Sequence, residues 1–187
     1  MKKALIITVI IFAFVIAIAC GVYGYYGGFK TITFEVKGQY EDVFVYEDVA
    51  GNYGQAPIYI KKVKKGLLNE FKIVTTQSAG IYYDNPQQVK DVRKLRSEIG
   101  CIINTTDSAR IAAISTRFKV KRLPDKKYII GQFPYKGSVS IFIGLIKVYP
   151  ALNEFVEANG YNPDGPVIEI YDELNKTIIY KKEAIKK

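Results

Sequence analysis

Glu169 and Tyr171 stand two residues apart in the apolar, β-branched run 166–172, PVIEIYD. Strand interiors disfavour glutamate, and a buried carboxylate is costly unless it is paired. Aromatic faces attract a cation or a flat apolar ligand, and a carboxylate beside them adds selection for positive charge. With its pKa raised by burial, the same carboxylate could serve as a general acid or base with water. The alternative is a solvent-facing glutamate paired with a nearby lysine, because charged residues are mostly exposed.

The rest of the composition narrows the chemistry. The chain has no histidine, which excludes a Ser-His-Asp triad, a Cys-His pair and a His-ligated zinc site. Of its two cysteines, Cys20 lies in an apolar segment, so we expect no structural disulfide. We expect neither a metal site nor a cofactor, and acid–base chemistry would fall to Glu, Asp, Lys or Tyr.

The net charge of +9 is spread over several short basic clusters. A basic surface suits anionic lipid or nucleic acid. No zinc-finger spacing, RNP aromatic motif or helix-turn-helix accompanies the charge. We therefore expect no nucleic-acid partner and interpret the charge as a solvated surface near a membrane.

The N-terminus predicts a membrane anchor. Residues 4–20 carry no charge, and the uncharged stretch continues to Phe29, long enough to cross about 30 Å of hydrocarbon. The tyrosines within 23–26 then occupy the place of an interfacial aromatic belt. Because Lys2 and Lys3 precede the segment, the positive-inside rule predicts a cytoplasmic N-terminus, membrane contact through 4–26 and the domain on the opposite side.

Three alternatives to this topology remain open. AIAC ending at Cys20 is a poor match to a lipoprotein signal, in which the cysteine would be lipidated. A secretory signal could be cleaved after a small residue such as Ala19. The domain could also face the cytosol.

Behind the anchor, the sequence repeats itself. LLNEF at 67–71 returns as ALNEF at 151–155, and GIYYDN at 80–85 returns as IEIYDE at 168–173. Each copy predicts strand, helix, strand, strand, so we expect an α+β fold with a pseudo-twofold axis. We assign 1–29 to the anchor and linker, and 30–187 to one domain of two repeats, about 40–105 and 125–183. The predicted strands are 43–49, 79–84, 92–103, 128–133, 166–172 and 176–183, with helices after the first strand of each copy, a short joining helix at 107–115 and a further strand within 116–124.

Strand alternation sets the expected faces. Glu169 and Tyr171 point one way, and Ile168 and Ile170 the other. Isoleucines suit packing against a helix, which would place Glu169 and Tyr171 in a groove between the sheets of the two repeats. We expect a break or kink in each helix, at Gly66 and at Pro150.

At these residues the chain resembles the GyrI-like superfamily, the effector-binding domain of multidrug-responsive regulators. The resemblance lies in IYYDNP at 81–86, IG at 99–100 and the stretch from FPYKG to EIYD at 133–172, and it covers essentially 31–187. A closer likeness is to the membrane-anchored branch that includes the testis-expressed ER-phagy receptor. Neither the helix-turn-helix domain of the regulators nor the long tail of that receptor is found in the sequence to Lys187.

The resemblance implies a small-molecule site on a membrane tether. The matching family glutamate lines a pocket, which favours a pocket role for Glu169 over the solvent-facing alternative. Tyr171, Tyr83 and Tyr135 are the expected walls, each with core packing as its alternative. An offset of 88 residues makes Ile81 the counterpart of Glu169, and Tyr82 is then expected to face the helix.

The predicted function is the binding of a small amphipathic or cationic molecule in this aromatic groove. Some family members hydrolyse strained compounds, so a hydrolase using Glu169 and water is one alternative. An adaptor that binds a protein partner in the groove, of unknown identity, is the other.

Overall fold

The computed structural model describes residues 2–39, 41–86 and 88–187, and it confirms the α+β class. Within these residues the strands form one antiparallel sheet. The helices are α1 (Lys2–Tyr25), α2 (Ala56–Phe71), α3 (Ser108–Ser115) and α4 (Ser138–Ala158). The strands are β1 (Phe34–Gln39), β2 (Asp42–Ala50), β3 (Gln77–Tyr82), β4 (Arg96–Ile103), β5 (Lys119–Leu123), β6 (Lys126–Pro134), β7 (Val167–Asp172) and β8 (Thr177–Glu183).

The strand order is β1-β6-β8-β7-β3-β4-β2-β5. Each half of the sheet comes from one strand–helix–strand–strand run, β2-α2-β3-β4 or β6-α4-β7-β8. Counted outward from the central β7–β3 pair, the order is the same on both sides: the first strand after the helix lies innermost, then the second strand after the helix, then the strand before the helix. In that central pair Gly80 lies opposite Glu169, and Ile81 lies opposite Ile168. The two runs therefore meet at the strand that carries the glutamate.

Local sequence signals explain where the helices begin and end. Asp107 caps α3 by accepting hydrogen bonds from the backbone N–H groups of Ala109 and Arg110. Pro57 lies in the first turn of α2, where its missing N–H costs nothing. Lys72 ends α2 in the left-handed conformation, and its N–H bonds to carbonyls of the last turn.

The breaks expected at Gly66 and Pro150 are absent, because α2 and α4 each continue through these positions. Gly66 has a packing role instead. A Cβ atom there would lie 2.3 Å from the ring of Phe118, so glycine lets α2 approach that ring closely. Tertiary packing of this kind overrides the local preference against a helix.

Helices α2 and α4 cover one face of the sheet. Val63 and Leu67 of α2 pack with β2, β4 and Phe118, while Val148 and Leu152 of α4 pack with β6, β7 and β8. This helix-covered face holds the larger part of the hydrophobic core.

The other face is buried without a helix. A cluster drawn from the strands alone fills it, including Phe44, Ile81, Ile168 and Ile170. Lys181 on β8 and Asp42 on β2 form an ion pair of 3.4 Å across this face. Three strands separate β8 from β2, so in a flat sheet these strands would lie about 19 Å apart. The sheet is therefore curled strongly around this cluster.

The sheet differs from the sequence expectations in three ways. Strand β1, which pairs with β6, was not predicted. The strand expected over 92–103 starts later, because Val92–Lys94 forms a 3-10 turn before β4. There is also one sheet rather than two with a groove between them, and its inner, curled face is filled by side chains.

Helix α1 stands away from the domain, and its side chains over 5–23 are exposed. By length and composition alone, two helices among the described residues could cross a membrane: α1 over Leu5–Tyr25 and α4 over Ser138–Ala158. Core helices and signal sequences satisfy the same criterion. The membrane anchor therefore stays a prediction.

Candidate functional site

Glu169 lies on the helix-covered face of β7, between neighbours on β3 and β8. This corrects the expected faces, since Ile168 and Ile170 pack into the helix-free cluster and Glu169 and Tyr171 point toward α4. The isoleucines were taken to mark the helix-covered face of the strand. This was misleading because the curled sheet buries apolar residues on both of its faces, with and without helices. The solvent-facing alternative is also wrong, since Glu169 is only 2% exposed.

Two tyrosine hydroxyls hold the carboxylate. Tyr149 of α4 donates to Oε1 at 2.6 Å, and Tyr171 donates to Oε2. Hydrogen bonds to a charged acceptor are stronger than neutral ones, so this pair fixes the position of the carboxylate. One donor comes from the helix and one from the same strand, which ties α4 to β7 at the site.

No Lys or Arg among the described residues forms an ion pair with Glu169. Burial raises the pKa of its carboxyl, while the hydrogen bonds from Tyr149 and Tyr171 lower it in part. Burial, followed by the negative charge of Glu169, raises the pKa of both tyrosines well above the usual range. The phenols therefore remain donors, and the carboxylate lacks a cation.

Further tyrosines extend the aromatic wall. Tyr135 lies 5.8 Å from Tyr171, and Tyr180 lies 6.0 Å from Tyr149, measured between ring centroids. Burial and the charge of Glu169 raise the pKa of Tyr82 and of Tyr180. The carboxylate is thus surrounded by rings from β3, β7, β8 and α4.

Glycines make room for two of these rings. A Cβ atom on Gly80 would lie 2.7 Å from the Tyr82 hydroxyl, and one on Gly144 of α4 would lie 2.6 Å from the Tyr180 hydroxyl. The Tyr180 hydroxyl is buried and has no hydrogen-bond partner among the described residues. A polar atom left in this way is free to bind an incoming group.

Of the predicted site residues, the structure brings together Glu169, Tyr171 and Tyr135. It does not bring Ile81 or Tyr83 to the same place. Ile81 belongs to the helix-free cluster. Tyr83 follows β3 and lies under the guanidinium of Arg96, which is 5.9 Å from its ring centroid.

The offset of 88 residues explains the misplacement of Ile81. On β3 the residues facing the helices are even-numbered, whereas on β7 they are odd-numbered, so equivalent residues must differ by an odd number. Tyr82, expected to face the helix, does so, and the same face carries Glu169 and the candidate site. Tyr149 was missed because no local pattern marks a helix tyrosine that reaches a strand 20 residues later.

The chemistry available here is binding of positive charge or proton transfer to a single carboxylate. Within the described part of the chain, no group of three or more His, Cys, Asp or Glu side chains could hold a metal ion. The site is also enclosed, since Tyr171 and Tyr180 are buried and Tyr149 and Tyr135 are half-buried. The half-buried pair marks the side nearest to solvent.

Known structures share this fold. The C-terminal domain of EcmrR is 10% identical, with 83% of this chain and 99% of that domain covered and a TM-score of 0.56. SAV2435, solved bound to tetraphenylphosphonium, is 14% identical over 82% of this chain and 94% of its own, with a TM-score of 0.54. A transcription regulation protein from Staphylococcus aureus is 13% identical over 84% of this chain and 100% of its own, with a TM-score of 0.50. At these identities the likeness shows the fold alone.

No curated protein is significantly similar in sequence to this chain. The sequence model of the GyrI-like small molecule binding domain, however, matches residues 30–183. That range contains every strand, helices α2 to α4 and the whole tyrosine–glutamate cluster. The chain therefore belongs to the GyrI-like small-molecule-binding domain family.

Proposed function

We propose that this protein binds a small cationic, amphipathic molecule, with Glu169 as its counter-charge and the surrounding tyrosine rings as its walls. The observation that carries the proposal is a buried carboxylate without a cation among the described residues. Isolated buried charge is unfavourable unless it is paired. A bound cation would supply the missing partner.

The tyrosines add a second source of affinity. A cation over an aromatic face gains about 0.5–2 kcal/mol, more when the contact is desolvated. The rings also present apolar surface to the uncharged part of the ligand. A lipophilic cation therefore fits this site better than a small inorganic ion, which would lose its hydration shell without gaining the apolar contacts.

Entry requires movement, because Glu169 is enclosed. Tyr149 is half-buried and lies on a helix, whereas Tyr171 is held in the middle of the sheet. A shift of α4 that withdraws the Tyr149 hydroxyl would expose Oε1 to a ligand and leave the Tyr171 hydrogen bond in place. The solved relative bound to tetraphenylphosphonium supports a cation of this class as the first probe.

We also infer that α1 tethers this domain to a membrane, as in the membrane-anchored branch of the family, and that the two halves of the sheet are a duplicated module. The exposed apolar length of α1 supports the tether. The matching strand order on either side of β7–β3 supports the duplication. Lys2 and Lys3 favour a cytoplasmic N-terminus, and protease accessibility in sealed vesicles would test which side holds the domain.

The binding proposal is tested by titrating the full chain in detergent with tetraphenylphosphonium, and with triphenylphosphine oxide as a neutral comparison. We expect Glu169→Gln to weaken binding of the cation by roughly tenfold, about 1.4 kcal/mol, and to leave binding of the neutral compound unchanged. Glu98→Gln is the matched control, because Glu98 is a half-buried carboxylate of β4 that pairs with Lys121. Equal affinity of the Glu169→Gln variant and the parent for the cation would reject the role.

The pH dependence gives an independent check of the same residue. Because burial raises the pKa of Glu169, the carboxyl becomes charged only above the ordinary range for glutamate. Cation affinity should therefore rise with pH through that raised pKa in the parent chain and stay flat in Glu169→Gln. Both oxygens of Glu169 are held by tyrosines, which favours binding over the hydrolase alternative. Turnover of a strained substrate that the same variant abolishes would reverse that preference.

A further inference from the structure

The outer face of α4 changes character halfway along the helix. In its first half, after Ser138, the exposed side chains are apolar: Val139, Phe142, Leu145 and Ile146. In its second half polar side chains are exposed, Asn153, Glu154 and Glu157, together with the small Pro150 and Ala158. The stretch 138–146 contains no charged residue. A soluble helix normally presents charged or polar residues along its whole outer face, so the first half needs a partner.

The apolar half of α4 lies next to the end of α1. Lys136, just before α4, donates to the Tyr25 carbonyl at 2.8 Å, and its ammonium lies 4.0 Å from the centroid of the Tyr25 ring. Lys147 donates to the Lys30 carbonyl at 2.7 Å. These contacts attach both ends of the apolar half to the segment that leaves α1.

The connection is packed as well as hydrogen-bonded. Gly27 and Gly28 are buried, and a Cβ atom on Gly27 would lie 3.0 Å from the Phe133 ring. Phe29 is 70% exposed and packs edge-on against Tyr23. Tyr23, Tyr25 and Phe29 are thus exposed aromatic residues at the end of α1, and Lys136 joins this end to the start of α4.

Helix α4 cannot itself cross a bilayer, although it meets the length criterion. Its opposite side, with Ile143, Val148 and Leu152, is buried against the strands. A helix with one face in a protein core and an apolar strip on the other can lie in the plane of a membrane surface. Lysines at the edges of such a strip keep their charged ends in the headgroup layer.

From these contacts we propose that the first half of α4 lies in the surface of the same bilayer that holds α1, with Phe142 and Ile146 inserted below the headgroups. This inference rests on the proposed membrane tether. We assign lipid as the partner of this apolar surface because the surface starts beside the C-terminal end of α1, and the exposed face of α4 becomes polar farther along the helix. The helix that carries Tyr149 would then contact the membrane directly.

The chain contains no tryptophan, which allows a direct test. Phe142→Trp, Ile58→Trp and Phe14→Trp place a single indole on α4, on α2 and in α1, at positions whose parent side chains are 65%, 68% and 67% exposed. The full chain of each variant is reconstituted in vesicles that contain phospholipid brominated near the headgroup end of its acyl chains. Bromine quenches an indole only when the two are close.

We expect several-fold stronger quenching for Phe142→Trp than for Ile58→Trp. The Phe14→Trp variant lies at the centre of the span, so it is measured in vesicles whose phospholipid is brominated near the end of its acyl chains. Equal quenching of the first two variants, with Phe14→Trp quenched in its own vesicles, would overturn the inference and leave the tether intact. A Phe14→Trp variant that is unquenched there would overturn both. Blue-shifted emission of Phe142→Trp without quenching would mean that protein, such as a second copy, covers the strip, which also overturns the inference. None of these outcomes alters the cation titration in detergent, so the binding proposal is judged separately.

Discussion

Helices α2 and α4 lie on the same face of one sheet, but their outer faces differ in charge. The outer face of α2 carries lysines, including Lys61, Lys62 and Lys65. The outer face of α4 carries Phe142 and Ile146 in its first half. The residues on the inner face of each helix must pack against the sheet, which both helices share. The residues on the outer face must suit whatever surrounds the domain on that side. On the membrane proposal, the difference arises because α2 faces water while the first half of α4 faces lipid.

The inner faces also differ at one position that affects function. Both helices bury aliphatic residues, but α4 adds Tyr149, which reaches Glu169. On α2 the half-buried tyrosine is Tyr59, which packs in an aliphatic cluster with Val49 and Ile99. One helix is thus a structural cover, and the other is both cover and part of the site.

The largest effects on stability are expected at the buried inner faces, which are aliphatic in both helices. Leu67→Ala in α2 and Leu152→Ala in α4 should each lower the free energy of unfolding by about 2–5 kcal/mol, because each removes a fully buried side chain and leaves a cavity. Both residues are essentially inaccessible to solvent. Chemical unfolding of the full chain in detergent measures the change.

Leu68→Ala is the control on α2, since Leu68 is a leucine of the same helix that is half exposed. It should cost far less than Leu67→Ala. If Leu152→Ala cost no more than this control, α4 would be only loosely docked, and the equivalence of the inner faces would be lost.

The next effect separates the helices. Tyr149→Phe removes a hydrogen bond to a buried carboxylate and should cost about 1.5–3 kcal/mol, the range for bonds to charged groups. With one of the two lowering hydrogen bonds gone, the pKa of Glu169 should rise further. Isotope-edited infrared spectroscopy of the carboxyl group, recorded across pH, would measure that shift.

Tyr59→Phe provides the comparison on α2. The Tyr59 hydroxyl has no hydrogen bond to another described side chain, so its loss should change stability little and leave the Glu169 titration unchanged. Equal changes in stability and in the Glu169 pKa for the two variants would mean that the Tyr149 hydrogen bond does not stabilise the Glu169 carboxylate.

The sequence predicted elements well and faces poorly. The helix predicted over 107–115 is α3, and the β-branched run around Ile168 and Ile170 marked β7, because helix and strand propensity are local signals. The face of β7 depends on curvature of the whole sheet. Since Ile168 and Ile170 are buried without a helix, no alternation rule could tell which side α4 covers.

The site shows the same limit. The period of two grouped Glu169 with Tyr171, and the family resemblance added Tyr135, which the structure brings near Tyr171. Tyr149 depends on how α4 crosses the sheet, and Tyr82 on an odd offset between β3 and β7. Both positions depend on contacts between residues that are far apart along the chain, and the local pattern of a single sequence does not show such contacts.

The smallest effect tests the outer face of α2. Lys62 forms an ion pair of 2.8 Å with Glu47, and its side chain is half exposed. Exposed pairs contribute about 0.2–1 kcal/mol and weaken with added salt, so Lys62→Ala should lower the free energy of unfolding within that range, and less at high ionic strength. Phe142→Ser on α4 should cost equally little in detergent but show no dependence on salt, because no charge is involved. A double-mutant cycle with Glu47→Gln measures the coupling of the pair. Lys62→Ala could instead lower the free energy of unfolding as much as Leu67→Ala does. In that case Lys62 would hold α2 to the sheet, and the outer face of α2 would not be a simple water-exposed surface to contrast with that of α4.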